Sequence, residues 1–190
     1  MLLIAGGWAA MRWVCQPAPT VEEAPPTYQI LLRRYARRAN LPKEFVHKVV
    51  MAESSGRSWV VSEASAKGLM QIRPPAETDV LRKLNRSERG DLFDPEYNML
   101  IGTTYLRMLT DRFDGDAYLV LAGYHMGPTR VARYRTANPG ISGKELVERF
   151  AGPRTRAYCA RILEGEELRL PLTRRPVGGS TEPAPRGDRI

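Results

Sequence analysis

An all-α domain is the fold class that this sequence predicts, and three observations carry that expectation. Apolar residues recur at helical spacing in successive segments between residues 28 and 170. Capping residues and prolines stand ahead of several of these segments, where helices begin. No segment alternates apolar and polar residues as a half-buried strand would, and no internal repeat is visible. A chain of 190 residues, 43% of them hydrophobic, suffices for one domain with a sizeable core plus tails.

Residues 1–14 are largely apolar, which suggests an export signal or a membrane-surface anchor. The basic start of a secretory signal is missing, and Arg12 makes the run too short to span a bilayer. Cys15 follows Arg12-Trp13-Val14, a poor match to the small residues that precede a lipid-bearing cysteine. With Cys15 included, residues 1–15 form the apolar N-terminal segment. Residues 16–27, with Pro17, Pro19, Pro25 and Pro26, read as an extended linker.

The domain is expected over residues 28–170. Tyr28 to Asn40 forms an amphipathic helix, with Ile30, Leu31 and Tyr35 opposite Arg33, Arg34, Arg37 and Arg38. Pro42 suits the first turn of the next helix, which runs to Glu53 and breaks at Ser54-Ser55-Gly56. Residues 55–67 are a polar loop. Gly68 to Ile72 is a short turn or helix, stopped by Pro74-Pro75. Ala76, Val80, Leu81 and Leu84 mark a further helix. Asp94-Pro95 starts a long one that ends near Phe113, with Ile101, Tyr105, Met108 and Leu109 on its apolar face. Gly102 on that face leaves room for another helix.

Asp116 to Met126 is apolar all round, hence buried, and ends at Gly127-Pro128. A short helix covers about Thr129 to Arg135. Ser142 and Glu145 have capping-box spacing ahead of Leu146 and Val147. The last helix runs from about Pro153 to Leu168. Residues 171–190 form a basic tail expected to be disordered.

The formal charge of +8 and a pI near 9.8 favour polyanionic partners, among which nucleic acid, anionic lipids and anionic wall polymers qualify. No helix-turn-helix, zinc-finger or RNA-binding signature accompanies the charge, so no nucleic-acid partner is expected. Two cysteines make no disulfide framework, and Cys159 reads as a small buried residue. His47 and His125 stand at no metal-ligand spacing to Cys15 or Cys159, so neither a metal nor a cofactor is expected.

Glu53 stands out. Phe45, Val49 and Glu53 fall on one face of their helix, so the carboxyl points with the core residues. It also occupies the last turn, where the helix dipole disfavours an anion. Partial burial would favour its neutral form and suit it to general-acid chemistry at mild pH. Asp79, Asp91 and Asp94 lie nearer helix starts, where capping explains them, so no second carboxylate is evident.

Around Glu53 the sequence resembles the SLT-type lytic transglycosylases, a goose-lysozyme-like family that cleaves bacterial peptidoglycan. Glu53-Ser54-Ser55 resembles the family's first signature, and Ser62 to Ile72, with Gly68-Leu69-Met70-Gln71, its second. Asp94 to Asn98, Gly102 and Tyr105-Leu106 resemble its middle helix. Ala122-Gly123-Tyr124-His125-Met126-Gly127-Pro128 and Thr155-Arg156-Ala157-Tyr158 resemble the two closing motifs. The blocks keep the family's order over about residues 41–165.

The resemblance implies a lysozyme-like helical domain with a cleft between lobes. It implies cleavage of the β-1,4 bond between N-acetylmuramic acid and N-acetylglucosamine, leaving 1,6-anhydro ends. Glu53 would serve as both acid and base. Ser62, Met70, Gln71, Tyr124, His125 and Tyr158 would meet the glycan strand. The protein would work in the bacterial cell envelope, as a monomer, with possible membrane association through its N-terminus. Four residues depart from the family pattern: Ser65 for Gly, His125 for Asn, Met126 for Ala and Arg154 for Glu. They bear on substrate preference and leave Glu53 in place. A lysozyme-type hydrolase, a non-catalytic wall-binding domain and a charge-driven nucleic-acid binder are the competing readings, in that order.

Overall fold

The computed structural model describes residues 26–173. The apolar segment 1–15, most of the linker and most of the basic tail lie outside the described residues. Eight helices follow one another: α1 (Pro26–Arg38), α2 (Lys43–Ser54), α3 (Pro74–Lys83), α4 (Pro95–Arg112), α5 (Ala117–Met126), α6 (Pro128–Ala137), α7 (Gly143–Phe150) and α8 (Pro153–Leu163). Among the described residues no strand forms, and only isolated bridges occur, such as Val61 with Lys67 and Lys67 with Ile72.

The centre is α5. From Ala117 to Gly123 every residue is buried, and the helix packs against α4, α6, α7 and α8. A helix apolar on all sides is stable only when surrounded in this way. Asp116 caps it by accepting the Leu119 N–H. Asp94 and Ser142 cap α4 and α7 in the same manner, accepting from Tyr97 and Glu145. Cys159 is fully buried in α8, and burial pushes its thiol up to about 12.

Five details differ from the sequence-based expectation. Helix α1 begins at Pro26, so Pro26 and Thr27 are helical rather than linker. Its inner face is Leu32, Tyr35 and Ala36, while Ile30 is 56% exposed. Pro74 and Pro75 do not stop a helix but open α3, where their missing N–H groups cost nothing. Gly102 admits the Met70 side chain rather than a helix: a Cβ there would meet the Met70 sulfur at 2.3 Å. Finally, α8 ends at Leu163, not Leu168, because Glu164 and Gly165 both turn left-handed, at φ 52° and 86°. The chain then runs extended beside the start of α5, with Ala117 N–H on Leu168 O at 3.2 Å and Leu170 N–H on Gly115 O at 2.7 Å.

Candidate active site

Helix α2 stops one residue after Glu53. Ser55 adopts a left-handed conformation, φ 55°, and its N–H closes on Met51 O. The buried Ser54 hydroxyl donates to Leu69 O at 2.8 Å, which ties the end of α2 to the turn Gly68-Leu69-Met70-Gln71.

That turn is held mainly by Asn98, a fully buried residue of α4. Its Oδ1 accepts the Met70 N–H at 2.8 Å. Its Nδ2 donates to Lys67 O at 2.9 Å and to Leu92 O at 2.8 Å. A buried amide with both ends satisfied is a rigid connector. Gly68, at φ 75°, sits so close that a Cβ would meet Leu92 O and the Asn98 amide at 2.2 Å each. Only glycine supplies both that conformation and that approach.

Opposite α2 stands α8. The Tyr158 hydroxyl donates to Glu53 Oε1 at 2.7 Å. The His125 ring lies against the Tyr158 ring, with centroids 4.8 Å apart and planes at 32°. His125 Nδ1 is 3.0 Å from the Thr155 hydroxyl, which fixes the imidazole on the first turn of α8. Tyr124, one residue earlier on α5, donates to Met70 O at 2.6 Å and packs beside Tyr105.

Burial raises the Glu53 carboxyl from its ordinary 4.5 to about 7, against the lowering effects of the Tyr158 hydrogen bond and the Arg161 charge. The same burial, with the Glu53 charge adding to it, holds both Tyr158 and Tyr124 well above the usual phenol range. Burial lowers His125, as do the nearby charges of Arg154 and Arg161. A carboxyl poised near neutrality can give up a proton and take one back within a single cycle. Tyr158 remains a neutral donor throughout.

The six residues expected to meet substrate divide into two groups. Tyr124, His125 and Tyr158 gather around Glu53. Ser62, Met70 and Gln71 belong to the facing loop. Ser62 Oγ accepts the Ala66 N–H at 3.1 Å. The Gln71 amide donates to Val60 O and Gly68 O at 3.1 and 3.0 Å, so its NH2 is committed within the loop. The Met70 side chain is 0% exposed and lies against α4, which corrects the expectation that it lines the open site. Its carbonyl is the part that serves Tyr124.

Sequence reasoning passed over Asn98, Ser54 and Arg161 as contributors to the site. Asn98 carried a usable signal, an amide at the head of the buried run Met99-Leu100-Ile101. Arg161, which also donates to Ala52 O at 3.0 Å, carried none.

Fold and site together define a helical, lysozyme-like domain with the shielded carboxyl of Glu53 at the end of α2. Residues 30–147 match the family described as Transglycosylase SLT domain, and the chain belongs to that family. It is 32% identical over 146 residues to the soluble lytic murein transglycosylase of Escherichia coli K12, covering 75% of this chain and 23% of that protein. The membrane-bound lytic murein transglycosylase E of Buchnera aphidicola is 35% identical over 127 residues, with 61% and 60% covered. Among solved structures, the 70-kDa soluble lytic transglycosylase of Escherichia coli superposes with a TM-score of 0.65 at 29% identity, over 75% of this chain and 24% of that one. An inactive mutant of Slt from Pseudomonas aeruginosa gives 0.66 at 26%, over 73% and 23%. The chain thus spans about a quarter of the larger relatives.

Proposed function

We propose that this protein is a peptidoglycan lytic transglycosylase with Glu53 as its single acid and base. The observation that carries the reading is a carboxyl held near pKa 7 and hydrogen-bonded by Tyr158, in a domain of the transglycosylase SLT family. In the proposed cycle protonated Glu53 gives its proton to the glycosidic oxygen between N-acetylmuramic acid and N-acetylglucosamine. The C1–O bond breaks and the new hydroxyl leaves. The carboxylate then takes the proton of the muramyl C6 hydroxyl as that oxygen bonds to C1, which closes the 1,6-anhydro ring. Glu53 ends protonated, as it began, and no water is consumed. Two-carboxylate glycosidases need a second acid, whereas substrate assistance does not.

Tyr158 is placed to steady the carboxylate after the first proton transfer. Tyr124 and His125 offer ring faces and polar edges for sugars. Work on peptidoglycan implies a place in the bacterial cell envelope, with the apolar N-terminal segment directing export or membrane attachment. Fractionation tests that placement, and recovery only from the soluble cytoplasm would refute it. Digestion of purified sacculi with mass spectrometry of the released muropeptides tests the chemistry. Anhydro ends are expected. Products one water heavier would make the protein a hydrolase, and no soluble product would leave a wall-binding domain.

A further inference from the structure

Arg154 stands on the rim of the site with no hydrogen-bond or ion-pair partner among the described residues. It is exposed, and it precedes Thr155, whose hydroxyl holds the His125 imidazole at 3.0 Å. His125 in turn lies on Tyr158, which donates to Glu53. This chain of contacts places the Arg154 side of α8 next to the acid, and the Arg154 charge is felt at His125. Some arginines of the domain are engaged, and what sets Arg154 apart is its place one residue before Thr155, the partner of His125. Arg161 donates to Ala52 O, Arg156 to Glu148 O, Arg149 pairs with Glu145, and Arg89 pairs with Glu77.

His125 is exposed too, with its ionisation lowered, so the fixed positive charges beside it are those of Arg154 and Arg161, and of these Arg161 also donates to Ala52 O. An uncommitted guanidinium beside a glycan site presents a planar fork suited to a carboxylate. Sugar hydroxyls and N-acetyl groups carry no charge. The anionic groups of peptidoglycan near the scissile bond are the carboxylates of the peptide attached to muramic acid.

The geometry points to Arg154 as a specificity-determining residue that receives a carboxylate of the muramyl peptide, so that glycan carrying acidic peptides is preferred over glycan whose peptide carboxylates are amidated. The inference rests on the cleavage reading above and names the group that the rim selects. His125 serves as the wall against which that peptide begins, positioned by Thr155.

The test compares kcat/KM of the full chain on two soluble peptide-bearing glycans of equal length, one with its peptide carboxylates free and one with them converted to amides. The wild type is expected to favour the first. Arg154→Glu turns an attraction at an exposed site into a repulsion. The preference is therefore expected to fall about three- to tenfold. Arg154→Lys should keep part of it, and Arg33→Glu on α1, with the same charge change far from the site, should keep all of it. High salt should shrink the wild-type preference. Equal kcat/KM on both glycans by the wild type, or an unchanged ratio in Arg154→Glu, overturns the inference alone. A wild type that cleaves neither glycan overturns the cleavage reading and this inference with it.

Discussion

Replacing Glu53 by glutamine separates two consequences of the same burial. The folded protein holds the carboxyl near 7 against an ordinary 4.5. At about 1.36 kcal/mol per pKa unit, ionising it in place costs the fold about 3 kcal/mol. The sign follows from proton binding. Between about pH 4.5 and 7 the folded protein retains a proton that the unfolded chain has lost, so the stability contributed by neutral Glu53 is complete below 4.5 and is lost as pH rises through 7. Glutamine never ionises and keeps an oxygen for the Tyr158 hydroxyl. The rise to about 7 is already net of the stronger bond to the carboxylate, so glutamine stands in for neutral Glu53. Glu53→Gln should therefore be about 3 kcal/mol more stable than wild type at pH 8 and roughly equal at pH 4. For a domain of this size that is a gain in Tm of about 6–12 °C at the higher pH only. Turnover should move the other way. Glutamine has no proton to give, and losing positioned acid–base catalysis costs about 10²- to 10⁴-fold. Calorimetry at the two pH values and release of soluble muropeptides from sacculi measure both effects. A Tm difference that does not change with pH would refute the buried-acid geometry. Near wild-type release of wall fragments by folded Glu53→Gln would refute its role as the acid.

Four further outcomes follow from the same contacts. Tyr158→Phe removes a hydrogen bond that lowers the Glu53 pKa, so the alkaline limb of kcat/KM, expected near pH 7 in the wild type, should move upward in a pH–rate profile. His125→Asn should retain comparable turnover. Loss of cleavage in that folded variant would make His125 a catalytic group and end the single-acid mechanism. Asn98→Leu leaves the Met70 N–H and the Leu92 carbonyl without their partner and takes from Lys67 O one of its two donors, at a cost of about 3 kcal/mol or more by urea unfolding. Gly68→Ala places a methyl against backbone and a left-handed φ under strain, so its loss of stability should be comparable or greater, with activity lost even where the protein still folds.

The helices and the acid were legible in the chain because both are local matters. Asp94-Pro95 and Ser142 with Glu145 announce helix starts through side chains that meet backbone only a few residues away. Glu53 betrays itself by sharing a helix face with Phe45 and Val49, a relation set by helical geometry alone. Local signals also misled where two readings were possible. A proline pair can close one segment or open the next, and Pro74-Pro75 open α3. Glu166 and Glu167 favour helix, yet Gly165 beyond Leu163 releases the chain to run beside α5.

The assembly of the site belongs to tertiary structure. Tyr158 is 105 positions from Glu53, and no periodicity links them until α2 and α8 pack together. The same packing brings Arg161 to Ala52 O and leaves Arg154 uncommitted on the rim. Asn98 illustrates the limit most plainly. As a letter it is a polar residue in a helix. Its part in holding the Gly68–Gln71 turn arises because α4 delivers it, fully buried, to the Met70 amide and Lys67 carbonyl of a distant loop and to Leu92 O just ahead of the helix. The sequence by itself determined where the helices and the acid lie, since neighbours along the chain decide those. Which groups desolvate Glu53, and so set its proton affinity, only the packed helices decided, since desolvation depends on neighbours in space.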